Sequence, residues 1–531
     1  MKKHMKLVAT VLSAVLLFVT FSCFSQNTFE LTIPSVDGVQ RSAVYAVETE
    51  SHGFIVSCHS QSIEDNDMLL HISAEGELLD TLLFQIDGKD LKYCALFKHP
   101  DDDSEYLAIA VLSSYDDPPY RYNQHEIAFL KLDENLNLLQ QDVCDLGDKV
   151  KHLATVENDT PKFILEDDGT LTMAAHIYKD RYSYLFGSFS AHGEMLRIIE
   201  DSSVNELEDY LFSFFVRNCN EHSYGIIKMY RHDGGGDFYY SLDSSFNLTR
   251  EARLTAKNLR VEWPDTTYAY KSFGGNGAYY NDTSFLVTSP GTFYGFHNGF
   301  CNHLTLLNDN LDVVCSKEWD CATPPTPQSY LETYAMSGLT NALCVTDDAI
   351  YHCGTIGENT HWLNIIPGAE STNPIRITVS KYDKNMNLKW RRYYGYDGYY
   401  DLNSIYATSD GGCIITGVNA YHRDGRFSNT NTYILKLNEN GYCAIGENAE
   451  SIAKPYYCYP NPAKDNIYIE LSPDVNCQSV ELYDLEGRLV ETFPETSPQS
   501  PIDISKLNTG TYLLKLKMSD GTEYTERIVK E

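Results

Sequence analysis

Basic side chains are scarce in this sequence: 41 Lys and Arg stand against 74 Asp and Glu, a formal net charge of −33. Nucleic-acid affinity rests on neutralising phosphates with Lys and Arg, so a chain this acidic excludes nucleic acid as a partner and repels anionic membrane. The charge otherwise speaks for solubility and says little about fold. Long apolar runs are also missing. After residue 25 no segment approaches the roughly 18 consecutive apolar residues of a membrane-spanning helix, and the mature chain should hold no transmembrane segment. The 14 cysteines include no Cys-x-x-Cys pair, which removes the basic motif of zinc ribbons and thioredoxin-type sites. There is no nucleophile elbow, phosphate loop, His-Glu-x-x-His helix or EF-hand spacing. Gly234-Gly235-Gly236 lacks the strand–turn–helix context of a phosphate loop and reads as a loop. Asp167-Asp168-Gly169-Thr170 reads as a plain turn, and Asp101 to Glu105 as a solvated acidic loop. No catalytic residue, cofactor or metal ligand is assigned.

What is present begins with an export signal. Lys2, Lys3 and Lys6 precede an apolar run from Leu7 to Phe21, too short to span a membrane comfortably. Cys23-Phe24-Ser25 offers a small-x-small cleavage site, so residues 1–25 read as a signal peptide and Gln26 as the first mature residue. The rival reading lipidates Cys23, but Thr20-Phe21-Ser22 matches the usual upstream sequence poorly. An export route permits disulfides. Cys58, Cys353 and Cys413 sit in apolar strand patterns and read as small buried hydrophobes, whereas Cys301, Cys315 and Cys321 are close enough for a local bridge.

Residues 27–447 are dominated by one recurring element: an apolar strand, a turn opened by Asp, Asn or Ser, and a second apolar strand. The turn opens at Ser73, Asp133, Ser190, Asp243, Asn308, Asp383 and Asn438, whose side chains can bond their own backbone. Three residues later stand Gly76, Leu136, Gly193, Phe246, Leu311, Met386 and Gly441. Glycine suits the positive φ of such turns; where a bulky residue replaces it, the preceding Asn or Ser is expected to take the strained position. A short apolar strand precedes each copy, as in Gly53-Phe54-Ile55-Val56 and Gly412-Cys413-Ile414-Ile415, and an opening strand precedes that. Val44-Tyr45-Ala46 and Ile405-Tyr406-Ala407 match upstream in the first and last units. Four antiparallel strands repeated seven times predict an all-β chain built on a seven-bladed β-propeller. The last unit runs out at Cys443-Ala444-Ile445 with its fourth strand short or missing, and the orphan strand Phe29 to Ile33 could supply it and close the ring. Ser409 to Gly417 and Tyr433 to Gly441 resemble bacterial propeller repeats. An open β-solenoid is the alternative, though its rungs are usually shorter.

After a linker at 448–455, residues 456–531 follow a different pattern. Tyr459-Pro460-Asn461-Pro462 opens it, Ile467 to Leu471 alternates, and a hairpin turns on Glu486-Gly487. Then come Gly510-Thr511-Tyr512 and the closing Arg527 to Lys530. Together these motifs resemble the type A C-terminal sorting domain of type IX secretion in Bacteroidetes. That resemblance implies a small immunoglobulin-like β-sandwich, the type IX machinery as partner, and export through the periplasm to the cell surface or beyond. Whether the cargo is released or stays attached is left open by it.

The loops between the second and third strands of the units carry the residue types of binding surfaces, aromatic rings with Arg and His. They include Tyr122, Arg181, Tyr182, Arg231, His232, Phe296, Trp362, Arg423 and Phe427. In like units these loops project from one end. This favours a non-enzymatic binding protein with an unidentified protein or glycan ligand. The alternative is a hydrolase or lyase acting on polysaccharide, which needs a paired acid and base at defined separation.

Overall fold

Strands of this chain carry apolar side chains on both faces in mid-sheet and polar ones at the outer edge, and the computed structural model assembles them accordingly. It describes residues 28–34, 39–60, 65–83, 85–115, 122–147, 152–153, 160–178, 182–201, 210–217, 224–230, 237–254, 270–272, 276–281, 283–293, 300–308, 310, 312–319, 334–337, 340–357, 376–395, 398–423, 426–427, 430–443, 456–459, 463–471, 477–484, 488–494, 502–518 and 523–530. All elements among these are β, and no helix is long and apolar enough to cross a membrane.

The first group pairs Arg41–Glu48, Phe54–Ser60, Met68–Ile72 and Leu78–Leu82 in chain order. Its middle strands are buried on both faces because neighbouring sheets cover them, while Leu78–Leu82 is exposed at the rim. The second group runs Asp90–His99, Asp102–Tyr115, Tyr122–Asp133 and Leu138–Asp145; the third runs Lys162–Leu165, Leu171–Tyr178, Tyr182–Phe189 and Met195–Asp201. These two are fused into one nine-stranded sheet by His152–Leu153, parallel to the second group at Gln124 and antiparallel to Ile177 and Tyr178. Tyr210–Arg217, Tyr224–Tyr230, Asp237–Leu242 and Leu248–Leu254 form the fourth group.

In the fifth and sixth groups the opening strand is split. Tyr270–Ser272 and Asn276–Asn281 both pair with Ser284–Phe293, which continues to Phe300–Asn308 and Val313–Trp319. Likewise Tyr334–Ser337 and Leu343–Val345 both pair with Ala349–Gly357, followed by Arg376–Asp383 and Leu388–Tyr394.

The closing group runs Gly398–Ala407, Cys413–Arg423 and Asn431–Leu437, and its outer strand is Phe29–Ile33 from the other end of the chain. The pairing is antiparallel, from Phe29 opposite Lys436 to Ile33 opposite Thr432. The expected closure is thus present. Opening strands of successive groups pack on one another in chain order, and the closing group packs back on Arg41–Glu48. Apolar cores fill these gaps, one joining Ile55 and Leu69 to the second group, another joining Phe29, Ile33, Ile414 and Ile434 to the first. The seam is also pinned by polar side chains on first-group backbone. Asn403 donates to the Ala43 carbonyl at 2.7 Å, Thr416 to that of Val44 at 2.9 Å, and Thr432 to that of Arg41 at 2.9 Å.

The recurring turns show one departure from expectation. Asp133 Oδ1 accepts the backbone N–H groups of Asn135 and Asn137 at 2.9 and 2.8 Å. Asp383 Oδ1 takes those of Asn385 and Asn387 at 2.9 Å each; the Asn387 backbone bond is the chief reason its carboxyl is pulled down to about 2. The strained position is taken by the bulky residue and not by its predecessor: Leu136, Phe246 and Met386 have φ of 61°, 61° and 62°. All three side chains are buried. Each plugs the gap to the preceding group, where Phe246 stacks 5.3 Å from Phe186. Where glycine stands instead, the neighbour fills the gap: a Cβ at Gly193 would lie 2.6 Å from the Phe129 ring, and one at Gly441 2.7 Å from Trp390. Burial of the plug therefore outweighs the ~1–2 kcal/mol cost of a left-handed L-residue.

Cys58, Cys353 and Cys413 are fully buried free thiols, as their strand patterns predict. Cys315 is also free, so it forms no local bridge; the side chains of Cys301 and Cys321 lie outside the described residues. Asp168 and Thr170 form the plain turn expected there, closed by the Thr170 N–H on Asp168 Oδ1 at 3.0 Å.

Toward the C-terminus, Tyr456–Tyr459, Asn466–Leu471 and Ile502–Asp503 make a three-stranded sheet. Leu489–Pro494, Cys477–Tyr483, Gly510–Met518 and Glu523–Lys530 make a four-stranded one. A single core of Ile467, Ile469, Val480, Leu482, Leu514 and Leu516 joins the two.

Candidate functional sites at the two ends of the strand groups

In every group the first strand runs toward the first-to-second turn, and the second returns toward the loop expected to bind. The structure places the backbone of four singled-out residues at such loop ends. Tyr122 pairs with Tyr115, Tyr182 with Tyr178, Arg423 with Arg426, and Phe427 with His422. They occupy equivalent places in the second, third and closing groups. Arg181, Arg231, His232, Phe296 and Trp362 lie outside the described residues.

The first group's loop at this end lacks aromatics and does a different job. Asp67 Oδ1 accepts the Ser60 N–H and Oδ2 the Tyr93 N–H, each at 2.9 Å, while Lys92 Nζ stands 3.7 Å away. Asn66 Oδ1 takes the Leu91 N–H at 2.7 Å. The segment clamps the first group to the second. His59 Nε2 lies 3.9 Å from Asp67 Oδ2, and burial lowers the pKa of that imidazole.

Away from that end lies a cavity of about 510 Å³, lined mostly by residues of first strands. Tyr45, Glu48, Cys94, Lys98, Lys162 and Tyr406 contribute to its wall, with Phe97, Phe163, Phe215 and Asn341. Burial raises the Tyr45 hydroxyl well above its ordinary pKa and pushes the Cys94 thiol up to about 12, so both are neutral at physiological pH. Glu48 is the one carboxylate among the described lining residues, and it is engaged. Ser409 donates from N and Oγ to it at 2.7 and 2.6 Å, and His52 Nδ1 sits at 3.2 Å. Among the described residues no group of three or more His, Cys, Asp or Glu could hold a metal ion.

Sequence reasoning passed over this cavity, although one signal pointed there. The matched Val44-Tyr45-Ala46 and Ile405-Tyr406-Ala407 place equivalent tyrosines, Tyr45 and Tyr406, in the same wall.

At the C-terminus, Tyr459 ends the strand that opens the two-sheet unit, and Gly510 and Tyr512 begin the strand that runs through its larger sheet. Tyr512 donates its hydroxyl to the Asn508 carbonyl at 2.9 Å. Pro460, Asn461, Pro462 and Gly487 lie outside the described residues. Residues 457–531 match the secretion system C-terminal sorting domain. The sorting domain marks the chain as cargo of type IX secretion, which implies contact with that machinery and export to the cell surface or extracellular space.

No curated protein matches the chain. Solved structures do. A protein of unknown function from Dyadobacter fermentans is 8% identical, covering 62% of this chain and 94% of its own, at a TM-score of 0.40. The β-propeller domain of the Trilobed protease from Pyrococcus furiosus is 8% identical over 73% of this chain and 97% of its own, at 0.35. The WD40 domain of SCAP from fission yeast is 10% identical over 78% and 98%, at 0.34. These likenesses concern shape alone and carry no statement about activity.

Proposed function

We propose that this chain is a non-enzymatic binding protein of a Bacteroidetes cell surface or its surroundings, with a protein or glycan as ligand. Residues 27–447 form a closed seven-bladed β-propeller, residues 1–25 are a removed signal peptide, and 456–531 are an immunoglobulin-like sorting sandwich. The observation that carries the reading is the shared placement of Tyr122, Tyr182, Arg423 and Phe427 at one end of their groups. Equivalent loops converge there, so Arg and aromatic residues scattered in sequence become one patch. Binding at such a patch rests on aromatic contact and charge-assisted hydrogen bonds.

The test compares Arg423→Ala plus Phe427→Ala and Arg181→Ala plus Tyr182→Ala with the unmodified chain on glycan and host-protein arrays. Loss of a central anchor should cost about 2 kcal/mol, some thirtyfold in affinity, whereas rim positions cost little. If both doubles fold and keep every ligand, the loop end is not the binding face. Loss of polysaccharide turnover without loss of binding would favour the hydrolase or lyase reading.

Export gives a separate prediction. Deleting residues 456–531 should leave the body folded and retained in the periplasm, as read by cell fractionation and surface proteolysis. Surface display of the truncated chain would count against sorting through this domain.

A further inference from the structure

The first group ends on Leu78–Leu82, which leaves a free backbone edge at the rim. Such edges invite pairing with another chain, and proteins guard them with charge, lysine above all. The outer strands of the third to sixth groups follow that rule with Arg197, Arg250, Lys317 and Lys389. The second carries two carboxylates, Asp142 and Asp145, and the closing one carries Glu30. The first has no basic residue and a single carboxylate in Leu78-Leu79-Asp80-Thr81-Leu82-Leu83. Leu79 and Leu83 are 53% and 48% exposed.

The backbone of this edge points to a particular occupant. The Thr81 N–H is bonded by the side chain of its own neighbour, Asp80 Oδ1, at 2.7 Å, so this donor faces the free edge and not Leu70 across the sheet. Strand residues alternate, so Leu79 and Leu83 present their backbone to the same edge as Thr81 and carry their side chains on its face. Leu82 turns the other way, against the core shared with the second group. The order Leu79-x-Thr81-x-Leu83 reads the same in both directions. A second copy laid antiparallel, Thr81 opposite Thr81, sets Leu79 against the partner's Leu83 and Asp80 against the partner's Leu82. No charge then faces a like charge.

We propose that two copies of this chain pair through this edge, as an antiparallel two-fold dimer centred on Thr81. The two Thr81 residues exchange N–H···O=C bonds in place of the Asp80 bond, and the leucines cover one another. One strand per copy falls at the low end of specific interfaces, below about 1,200 Å², and the net charge of −33 opposes approach. The dimer is accordingly weak, with a dissociation constant of roughly 10–100 μM. It uses no residue of the loop end, so its failure leaves the loop-face reading untouched.

Analytical ultracentrifugation of the full chain from micromolar to millimolar concentration tests it. Monomer should give way to dimer, and added salt should tighten the dimer by screening the repulsion between copies. Leu79→Lys plus Leu83→Lys sets lysine opposite lysine and should weaken pairing at least about tenfold, although it lowers the net negative charge. Thr81→Cys should cross-link to its copy under glutathione disulfide, because the Cα atoms of such a pair lie about 5.5 Å apart, whereas Gln85→Cys should not. The two cysteine variants decide the matter alone if the lysine double fails to fold. A chain still monomeric at millimolar concentration, or a dimer unmoved in a folded lysine double, would overturn the proposal. So would a dimer that salt dissolves, or cross-linking at Gln85→Cys and not at Thr81→Cys.

Discussion

A chain that begins at residue 35 should aggregate, or melt far below the full-length protein. The missing strand Phe29–Ile33 is the outer strand of the closing group, paired along five positions with Asn431–Leu437. Phe29 and Ile33 are buried in the core that joins the closing group to the first, and Tyr433 donates to Glu30 at 2.9 Å. Two large buried side chains, a strand of ladder hydrogen bonds and one charge-assisted bond amount to a loss on the order of 5 kcal/mol. The exposed edge of Asn431–Leu437 would add a template for pairing between molecules. Differential scanning calorimetry with light scattering reads both effects. A truncated chain that melts with the full-length protein and stays monomeric would show that the seam carries no stability, contrary to its contacts.

The closure was legible in the sequence because two deficits matched. The last unit runs out at Cys443-Ala444-Ile445, and one strand stands unused before the first unit. The four-strand period was legible for a similar reason: the Asp, Asn or Ser that opens each turn must bond its own backbone, and the residue type reveals it. The fusion of the second and third groups by His152–Leu153 was not legible, since two residues carry no period. Nor was the split opening strand of the fifth and sixth groups. The cavity escaped for a different reason. Its wall is built from short runs far apart in sequence, Tyr45 to Glu48, Cys94 to Lys98 and Tyr406 to Thr408 among them, and only the packing of the groups on one another brings these runs together. The loop residues were chosen by type, and type alone does not separate a binding ring from a tyrosine that merely covers a loop.

Replacing Phe246 by Gly should destabilise the body, although glycine is the residue found at the same place in three other turns. Phe246 has φ of 61°, a conformation that costs an L-residue about 1–2 kcal/mol and glycine almost nothing. On backbone grounds alone the variant would be the more stable protein. Against this, the ring is 3% exposed and stacks on Phe186 at 5.3 Å, with Tyr224 at 5.5 Å. Deleting a buried Phe side chain costs about 3–5 kcal/mol, more than the strain relieved, so a net loss near 2–3 kcal/mol is expected. The contrast lies in Gly193, whose missing side chain leaves room for Phe129 from the preceding group. Gly193→Leu should also destabilise, by about 1–3 kcal/mol of overpacking plus the strain. Each turn thus takes either a plug or a gap according to what its neighbour offers, and exchanging them should fail in both directions. Urea denaturation midpoints of the two variants decide it. A Phe246→Gly protein as stable as the original would mean that backbone strain, and not the filled gap, governs this position.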